Sequence, residues 1–376
     1  MQQVALEKFL HVETTPLALA VIIPVLNERD NVRPLLEKLS IALAGIEFEA
    51  IFVDDNSQDG TPDVIEEIAH SDRRVRLIRR VGRRGLSSAV VEGFLSTVAP
   101  VVAVIDGDMQ HDEGALPALY RAVAEDDFEL AVGTRYADGG GMGEWAKSRV
   151  RISQFATALA APVMKTPLSD PMSGFFALKR SVVIEAAGNL SSVGYKILLD
   201  LVASHPRRLT LKEVPYEFRT RVAGESKLDS AVALEYFELL LDKLVGRIVP
   251  VKFLMFGAIG ALGLVVHLSV LGLAHNAAGI GFMLAQTVAV MTAMTFNYAL
   301  NNALTYRDRR LTGLGWWKGL LSFGLVCSAG AAANVGVADF VFGTQGGQWW
   351  LAGAAGAAVG AIWNYAVTSW LTWTKR

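Results

Sequence analysis

Apolar residues follow two regimes along this chain. Before about residue 230 they come as short runs between polar loops, and after residue 250 as runs of more than twenty. Residues 17–25 (LALAVIIPV) and 101–105 (VVAVI) are apolar without alternation and rich in β-branched side chains, the pattern of strands buried on both faces. Residues 49–53, 75–78 and 129–133 read as further strands, with helices over 32–43 and 62–69 between them. Strand alternating with helix at this spacing predicts a parallel, doubly wound α/β sheet. Pro24 is expected to end the first strand. Three strands run into carboxylate-bearing loops, at 28–30, 54–59 and 106–108, which in an open α/β sheet meet at one edge, where ligands bind.

In the second regime, residues 251–274, 279–300, 317–342 and 349–373 each exceed the ~20 residues that cross a bilayer, which predicts four transmembrane helices. Arg307, Arg309, Arg310 and Lys318 lie between the second and third, and Lys375 and Arg376 follow the fourth. The loops 275–279 and 343–348 carry neither Lys nor Arg. The positive-inside rule then makes this a multi-pass integral membrane protein with both termini and the charged half in the cytoplasm. Residues 230–250 form an amphipathic stretch that suits equally a helix packed on the α/β domain and one lying among lipid headgroups. Residues 149–164 are a weaker case of the same kind. The expected division is an α/β domain over 1–229, a juxtamembrane helix over 230–250 and a membrane domain over 251–376. Within the spans, Gly257, Gly260, Gly263, Gly353, Gly356 and Gly360 allow close helix approach. His267, Gln286, Asn297, Asn301, Asn334, Asp339 and Asn364 suit interhelical hydrogen bonds or a path for a lipid phosphate.

Composition changes this picture little. The hydrophobic content of 52% and mean hydropathy of +0.35 arise from the second half. A net charge of −2 excludes a globally basic nucleic-acid binder, so no nucleic-acid partner is expected. The single cysteine, Cys327, lies in an apolar run and excludes a disulfide framework. The N-terminal stretch lacks a basic leader followed by a long apolar core, so no cleaved signal peptide is expected.

The candidate chemistry concentrates in DGDMQ, residues 106–110. Asp106, Asp108 and the amide oxygen of Gln110 are hard donors suited to Mg²⁺ or Mn²⁺, ions that also take phosphate oxygens. The same residues read as a plain turn after a strand. Residues 79–89 set four arginines and two glycines ahead of a helix, either a solvated loop with capping serines or an anion site. Arg135 is placed to meet a phosphate. Pro171 and Gly174 mark a tight bend in SDPMSGFFAL, and Arg221 and Lys227 sit in a basic loop able to close over a diphosphate.

Taken in order, PVLNERDN, VDDNSQDGT, RRGLSSAV, DGDMQH, GTRY, DPMSGFFAL and GESKL resemble the motifs of family 2 glycosyltransferases, over about residues 17–230. Within that family they are most similar to polyprenyl-phosphate sugar synthases of the dolichyl-phosphate mannose synthase type. The resemblance implies a GT-A nucleotide-sugar-binding domain, in agreement with the mainly parallel sheet. Carried over by position, it implies that Pro24, Glu28, Val53 and Asp55 hold the nucleotide base and ribose, together with Leu26, which stands where the family usually has Tyr. It implies that Asp106, Gly107 (often Ala in the family), Asp108 and Gln110 bind metal and diphosphate. Arg135, Arg221 and Lys227 would contact the donor or acceptor phosphates, and Asp106, Asp108 and Arg135 would carry the catalysis. Residues 251–376 resemble GtrA-like four-helix domains, notably in FNYALNNALTYRDRR.

The implied reaction moves one hexose, mannose from GDP-mannose, onto a polyprenyl (dolichyl) phosphate in the membrane, with inversion at the anomeric carbon. The acceptor is already an oxyanion at neutral pH, so positioning and charge neutralisation suffice and no evident catalytic His is needed. UDP-glucose or a UDP-N-acetylhexosamine is the alternative donor. A processive polysaccharide synthase is disfavoured by the missing QxxRW-type motif. From another class, a lipid-linked sugar transporter or flippase with a regulatory nucleotide-binding domain is opposed by the intact DGDMQ. A homo-oligomer is left open.

Overall fold

The computed structural model describes residues 16–82, 84–136, 156–191, 196–219, 230–246, 249–344 and 349–374. Its contacts divide the chain into two compact units, Met1–Leu244 and Val245–Arg376. In chain order the first holds β1 (Leu19–Val25), α1 (Arg29–Ala42), β2 (Phe48–Asp54), α2 (Thr61–Ser71), β3 (Val75–Arg79), α3 (Leu86–Leu95) and β4 (Val101–Val104). Then come α4 (Leu116–Ala124), β5 (Leu130–Thr134), β6 (Phe176–Lys179), α5 (Arg180–Ala186), α6 (Ile197–Ser204), β7 (Leu211–Pro215) and α7 (Ser230–Val245).

The seven strands form one sheet in the order β3-β2-β1-β4-β6-β5-β7. All neighbours are parallel except β6, which is antiparallel to β4 and β5. The unbroken apolar run of β1 has a direct cause. Leu19, Val21, Ile23 and Val25 enter a core with Val32, Leu35 and Leu39 of α1, Ile65 of α2 and Leu116 of α4. Ala20 and Ile22 enter the opposite core with Val90 and Phe94 of α3, Val182 of α5 and Leu198 of α6. With helices on both faces no polar position is tolerated. Pro24 does not end β1, because Val25 still pairs with Asp54. The ladder to β4 stops at Ile22–Val104, so the missing N–H of Pro24 costs no bond on that side. The antiparallel β6 has no counterpart in the sequence reading, since four residues behind a bend carry too little periodicity to show as a strand.

Helix α7 packs one face of the 230–250 stretch on the α/β unit. Leu239 and Leu240 pack with Ala160 and Leu199, and Tyr236 donates from its hydroxyl to the Ala156 carbonyl at 2.5 Å. Lys243 Nζ reaches the buried Asp200 at 2.6 Å and Ser204 Oγ at 2.9 Å. The helix is thus docked on the α/β unit, while Phe237 and Leu244 remain exposed.

The second unit contains α8 (Val251–Gly272), α9 (Phe282–Leu300), α10 (Leu314–Thr344) and α11 (Trp349–Leu371). Among the described residues, two helical segments are long and apolar enough to cross a membrane, Val251–Ala277 and Leu314–Val341. Large apolar side chains such as Leu264, Met283, Leu325 and Trp370 point outward. The interior is aromatic. Trp373 stacks on Tyr306 with centroids 4.0 Å apart and on Tyr298 at 5.8 Å, and its indole N–H donates to Asn302 Oδ1 at 3.1 Å. The glycines and asparagines singled out separately in the sequence turn out to be partners. A Cβ on Gly263 would fall 2.1 Å from Asn297 Oδ1, and one on Gly356 would fall 2.4 Å from Asn334 Oδ1. A Cβ on Gly257 or Gly260 would have nothing within 4 Å among the described residues.

Candidate active site

The loops after β1 and β2 lock together at the carboxyl edge of the sheet. Asn27, held at φ 56°, receives Gln58 N–H on its Oδ1 at 2.9 Å and donates its own N–H to Ser57 Oγ at 2.8 Å. The Glu28 N–H donates to Thr61 Oγ1 at 3.0 Å, and its carboxylate accepts from Asn31 at 2.7 Å. Pro24, Leu26 and Glu28 are partly buried beside the buried Val53 and Asp55, so the residues expected to hold a nucleoside do converge. Asp55 is already engaged: its carboxylate pairs with Arg80 and accepts the Gly85 N–H at 2.7 Å. Arg80 is fully buried, with further bonds to Glu92 at 3.1 Å and Ser88 at 2.6 Å. Its charge is matched inside the protein, and Arg80 holds the loop before α3 in place.

The DGDMQ turn follows β4. Met109 adopts φ 64°, and Gln110 N–H closes the turn on Asp108 Oδ1 at 3.2 Å. Arg219 braces this loop from beyond β7. Its guanidinium reaches Asp112 at 2.5 Å and Glu113 at 2.6 Å, its N–H donates to the Gln110 carbonyl at 2.8 Å, and its carbonyl accepts Gln110 Nε2 at 3.2 Å. The Asp106 side chain is one-third exposed (33%), whereas Asp108 is buried. Two glycines shape the space around them. A Cβ on Gly107 would meet Val25 Cγ1 at 2.8 Å, and one on Gly174 would fall 2.8 Å from Asp106 Oδ2 and 3.1 Å from Oδ1. Glycine at 174 therefore keeps the Asp106 carboxylate clear. Two carboxylates in one turn, Asp106 one-third exposed, are hard donors that fit Mg²⁺ or Mn²⁺, which take one or two protein carboxylates and fill the remaining positions with water and phosphate oxygens. Among the described residues no cluster of three or more His, Cys, Asp or Glu offers an all-protein cage.

His111 lies beneath this turn. It is buried, stacks on Phe175 at 5.2 Å and meets Tyr216 and Phe218 edge-on. Its Nδ1 accepts the Asp106 N–H at 3.3 Å, and its Nε2 stands 3.8 Å from Asp106 Oδ2. Burial lowers its pKa to about 4, with the Arg135 charge adding to the effect and Asp108 and Asp170 opposing it, so it is neutral at physiological pH. It supports Asp106 from below.

Arg135 follows β5, and its Nε and Nη2 grip the fully buried Asp170 at 2.7 and 2.8 Å while its plane lies 5.3 Å over Phe218. Burial disfavours the cation, but the pairing with Asp170 outweighs it and the pKa is raised. Lys196, just ahead of α6, extends its ammonium toward the Met172 carbonyl at 3.5 Å. Arg221 and Lys227 lie outside the described residues, as do residues 149–155 of the weaker amphipathic stretch.

Comparison with known proteins decides the family. The description "Glycosyl transferase family 2" matches residues 20–186, and "GtrA/DPMS, transmembrane domain" matches residues 255–373. A protein of Pyrococcus furiosus named dolichol-phosphate mannosyltransferase is 32% identical over 359 residues, 94% of this chain and 99% of its own. This chain belongs to glycosyl transferase family 2. A second relative of the same name, from Saccharomyces cerevisiae, is 37% identical over 63% of this chain and 91% of its own. A solved structure of glucosyl-3-phosphoglycerate synthase from Mycobacterium tuberculosis covers 60% of this chain and 79% of that one, at 21% identity and a TM-score of 0.43. The chain is therefore a glycosyltransferase, with a C-terminal domain of the GtrA-like transmembrane type.

Several residues around the candidate site of this glycosyltransferase were not read from the sequence. Asp170 and Gly174 stood in DPMSGFFAL, read as a bend and as one of the family-like motifs, with no role given to Asp170. His111 stood beside the acidic pair, but nothing in one dimension shows that Phe175, Tyr216 and Phe218 surround it. Arg219 opens the basic loop that ends in Arg221 and Lys227, and Lys196 stands in GYKILLD, a stretch similar to mannose synthases, but nothing in one dimension gives either a place beside the acidic turn.

Proposed function

We propose that this glycosyltransferase moves mannose from GDP-mannose onto a polyprenyl phosphate such as dolichyl phosphate, in a metal-dependent reaction that inverts the anomeric carbon. The reading is carried by the 32% identity over 99% of the Pyrococcus furiosus dolichol-phosphate mannosyltransferase, a likeness that spans both units. Pro24, Leu26, Glu28, Val53 and Asp55 take the nucleoside, and Arg135 with Arg221 and Lys227 the phosphates. Asp106 and Asp108, with Gln110 beside them, would hold Mg²⁺ or Mn²⁺, which supplies neutralisation of the departing diphosphate. The protein's own share is positioning. A phosphate monoester is ionised near neutral pH, with its second pKa at about 6, so the acceptor oxygen attacks without surrendering a proton. That accounts for a site whose histidine is buried and has its Nδ1 occupied by the Asp106 N–H.

The membrane assignment belongs to the same proposal. All four apolar helices would span the bilayer as a domain over 251–376, joined through the helix over 230–250 to a cytoplasmic catalytic domain over 1–229. Arg307, Arg309, Arg310 and Lys318 would face the cytoplasm, where nucleotide sugars are at hand. The test uses the purified full-length protein, a panel of GDP- and UDP-sugars, a short polyprenyl phosphate and Mn²⁺ or Mg²⁺, with the glycolipid identified by mass. A mannolipid from GDP-mannose is the expected product. A glycolipid formed only from a UDP-sugar overturns the donor, and none from any donor overturns the reaction.

A further inference from the structure

Among the described residues, the Arg135 cation at this site is already paired with a carboxylate. Arg135 is held in a two-point ion pair by Asp170, at 2.7 and 2.8 Å. A divalent ion on Asp106 and Asp108 would be balanced by their two charges. Yet the proposed reaction brings a diphosphate and a phosphate together, and these repel each other. A further cation, beyond Arg135, Arg221 and Lys227, relieves that repulsion where the second anion arrives.

Lys196 meets that need. Among the described residues its ammonium makes no ion pair, and its one hydrogen bond is the long 3.5 Å contact to the Met172 carbonyl. It is nevertheless central. Met172 belongs to the turn that grips Arg135 through Asp170 and places Gly174 against the Asp106 carboxylate. Burial lowers the Lys196 pKa, the neighbouring Arg135 charge adds to this, and Asp106 and Asp170 oppose it, so all three groups lie within electrostatic reach. The sheet order sets direction. The expected nucleoside residues hang from β1 and β2, the acidic pair from β4, and the turn and Arg135 from β6 and β5, successive neighbours along the edge. A nucleotide sugar laid from base to diphosphate across β2, β1 and β4 points its sugar toward β6 and β5, which is the side Lys196 occupies.

We propose that Lys196 is the cation that receives the acceptor's phosphate, a binding residue for the lipid phosphate and not for the nucleotide; this rests on the polyprenyl-phosphate reading above. Full-length Lys196→Met and Lys196→Arg, compared with wild type in steady-state transfer, test it. Losing one charge-assisted bond raises the acceptor KM roughly 10- to 100-fold in Lys196→Met. The donor KM and the directly measured Kd for GDP stay within about twofold, the signature of a substrate-specific loss in a folded protein. Lys196→Arg recovers most of the acceptor KM. An unchanged acceptor KM in Lys196→Met, a donor KM or GDP Kd that moves by the larger factor, or an Arg variant no better than Met overturns the assignment. Wild-type protein that makes no glycolipid overturns the acceptor reading and this assignment together, whereas wild-type turnover beside an unaffected Lys196→Met overturns this assignment alone.

Discussion

Replacing Gly174 by Ala tests the acidic site through a single methyl group. The new Cβ would stand 2.8 Å from Asp106 Oδ2 and 3.1 Å from Oδ1, whereas ordinary contact begins near 3.4 Å. Something must yield by about 0.6 Å. The turn is the stiffer partner, because Ser173 Oγ donates to the Gly133 carbonyl at 2.7 Å and also accepts the Phe175 N–H at 3.2 Å. Gly174 is not in the left-handed region, so alanine suits its backbone and introduces no strain there. The Asp106 carboxylate, one-third exposed, therefore moves. Metal–oxygen distances tolerate only about 0.2 Å, so a shift of this size displaces the ligand from any workable position. Misplaced supporting groups cost metal sites about 10- to 100-fold in affinity or activity. The assay is a Mn²⁺ titration of the initial transfer rate at saturating donor, paired with a melting curve of the detergent-solubilised protein. The half-saturating Mn²⁺ concentration should rise by that factor while the melting temperature moves by no more than about 2 °C. A wild-type metal dependence in Gly174→Ala refutes the placement of the ion on Asp106.

Further expectations follow from the same geometry. Asp108→Asn should abolish transfer while the protein still folds, read by product mass and by circular dichroism; transfer at the native rate with metal present would remove Asp108 from the site. Glu129 is held at a pKa of about 2, below its ordinary 4.5, chiefly by hydrogen bonds from Arg207 and also by the Thr210 N–H, with burial opposing. A depressed carboxylate stabilises the fold above pH 4.5 and loses that contribution as the pH falls toward 2, so acid unfolding should be shallower in Glu129→Gln than in wild type across that window. Gly263→Val drives a side chain into Asn297, whose Oδ1 would lie 2.1 Å from the new Cβ. It should cost about 1–3 kcal/mol through overpacking, seen as a lower melting temperature in detergent, whereas Gly257→Val, which faces open space, should not.

The first five strands and the helices between the first of them were legible along the chain because each buried strand must be apolar on both faces and each helix on one, whereas β7 and the helices α4 to α6 were not read. The acidic pair at 106 and 108, the polar loops after β1 and β2, and the contrast between a charged and an apolar half were legible for the same reason: they are local runs of residue type. The antiparallel β6 was not, nor was the docking of α7, since Leu239 and Leu240 find their partners in Ala160 and Leu199, far away in sequence. The tertiary structure also reassigned charges that sequence could only count. Arg80 proved to be a buried partner of Asp55 and Glu92, Arg135 is held by Asp170, and Lys196 reaches a backbone carbonyl with no ion pair among the described residues. Residue type and spacing dictate which segments are buried, but which charge meets which is settled only when loops from separate strands are brought to one edge.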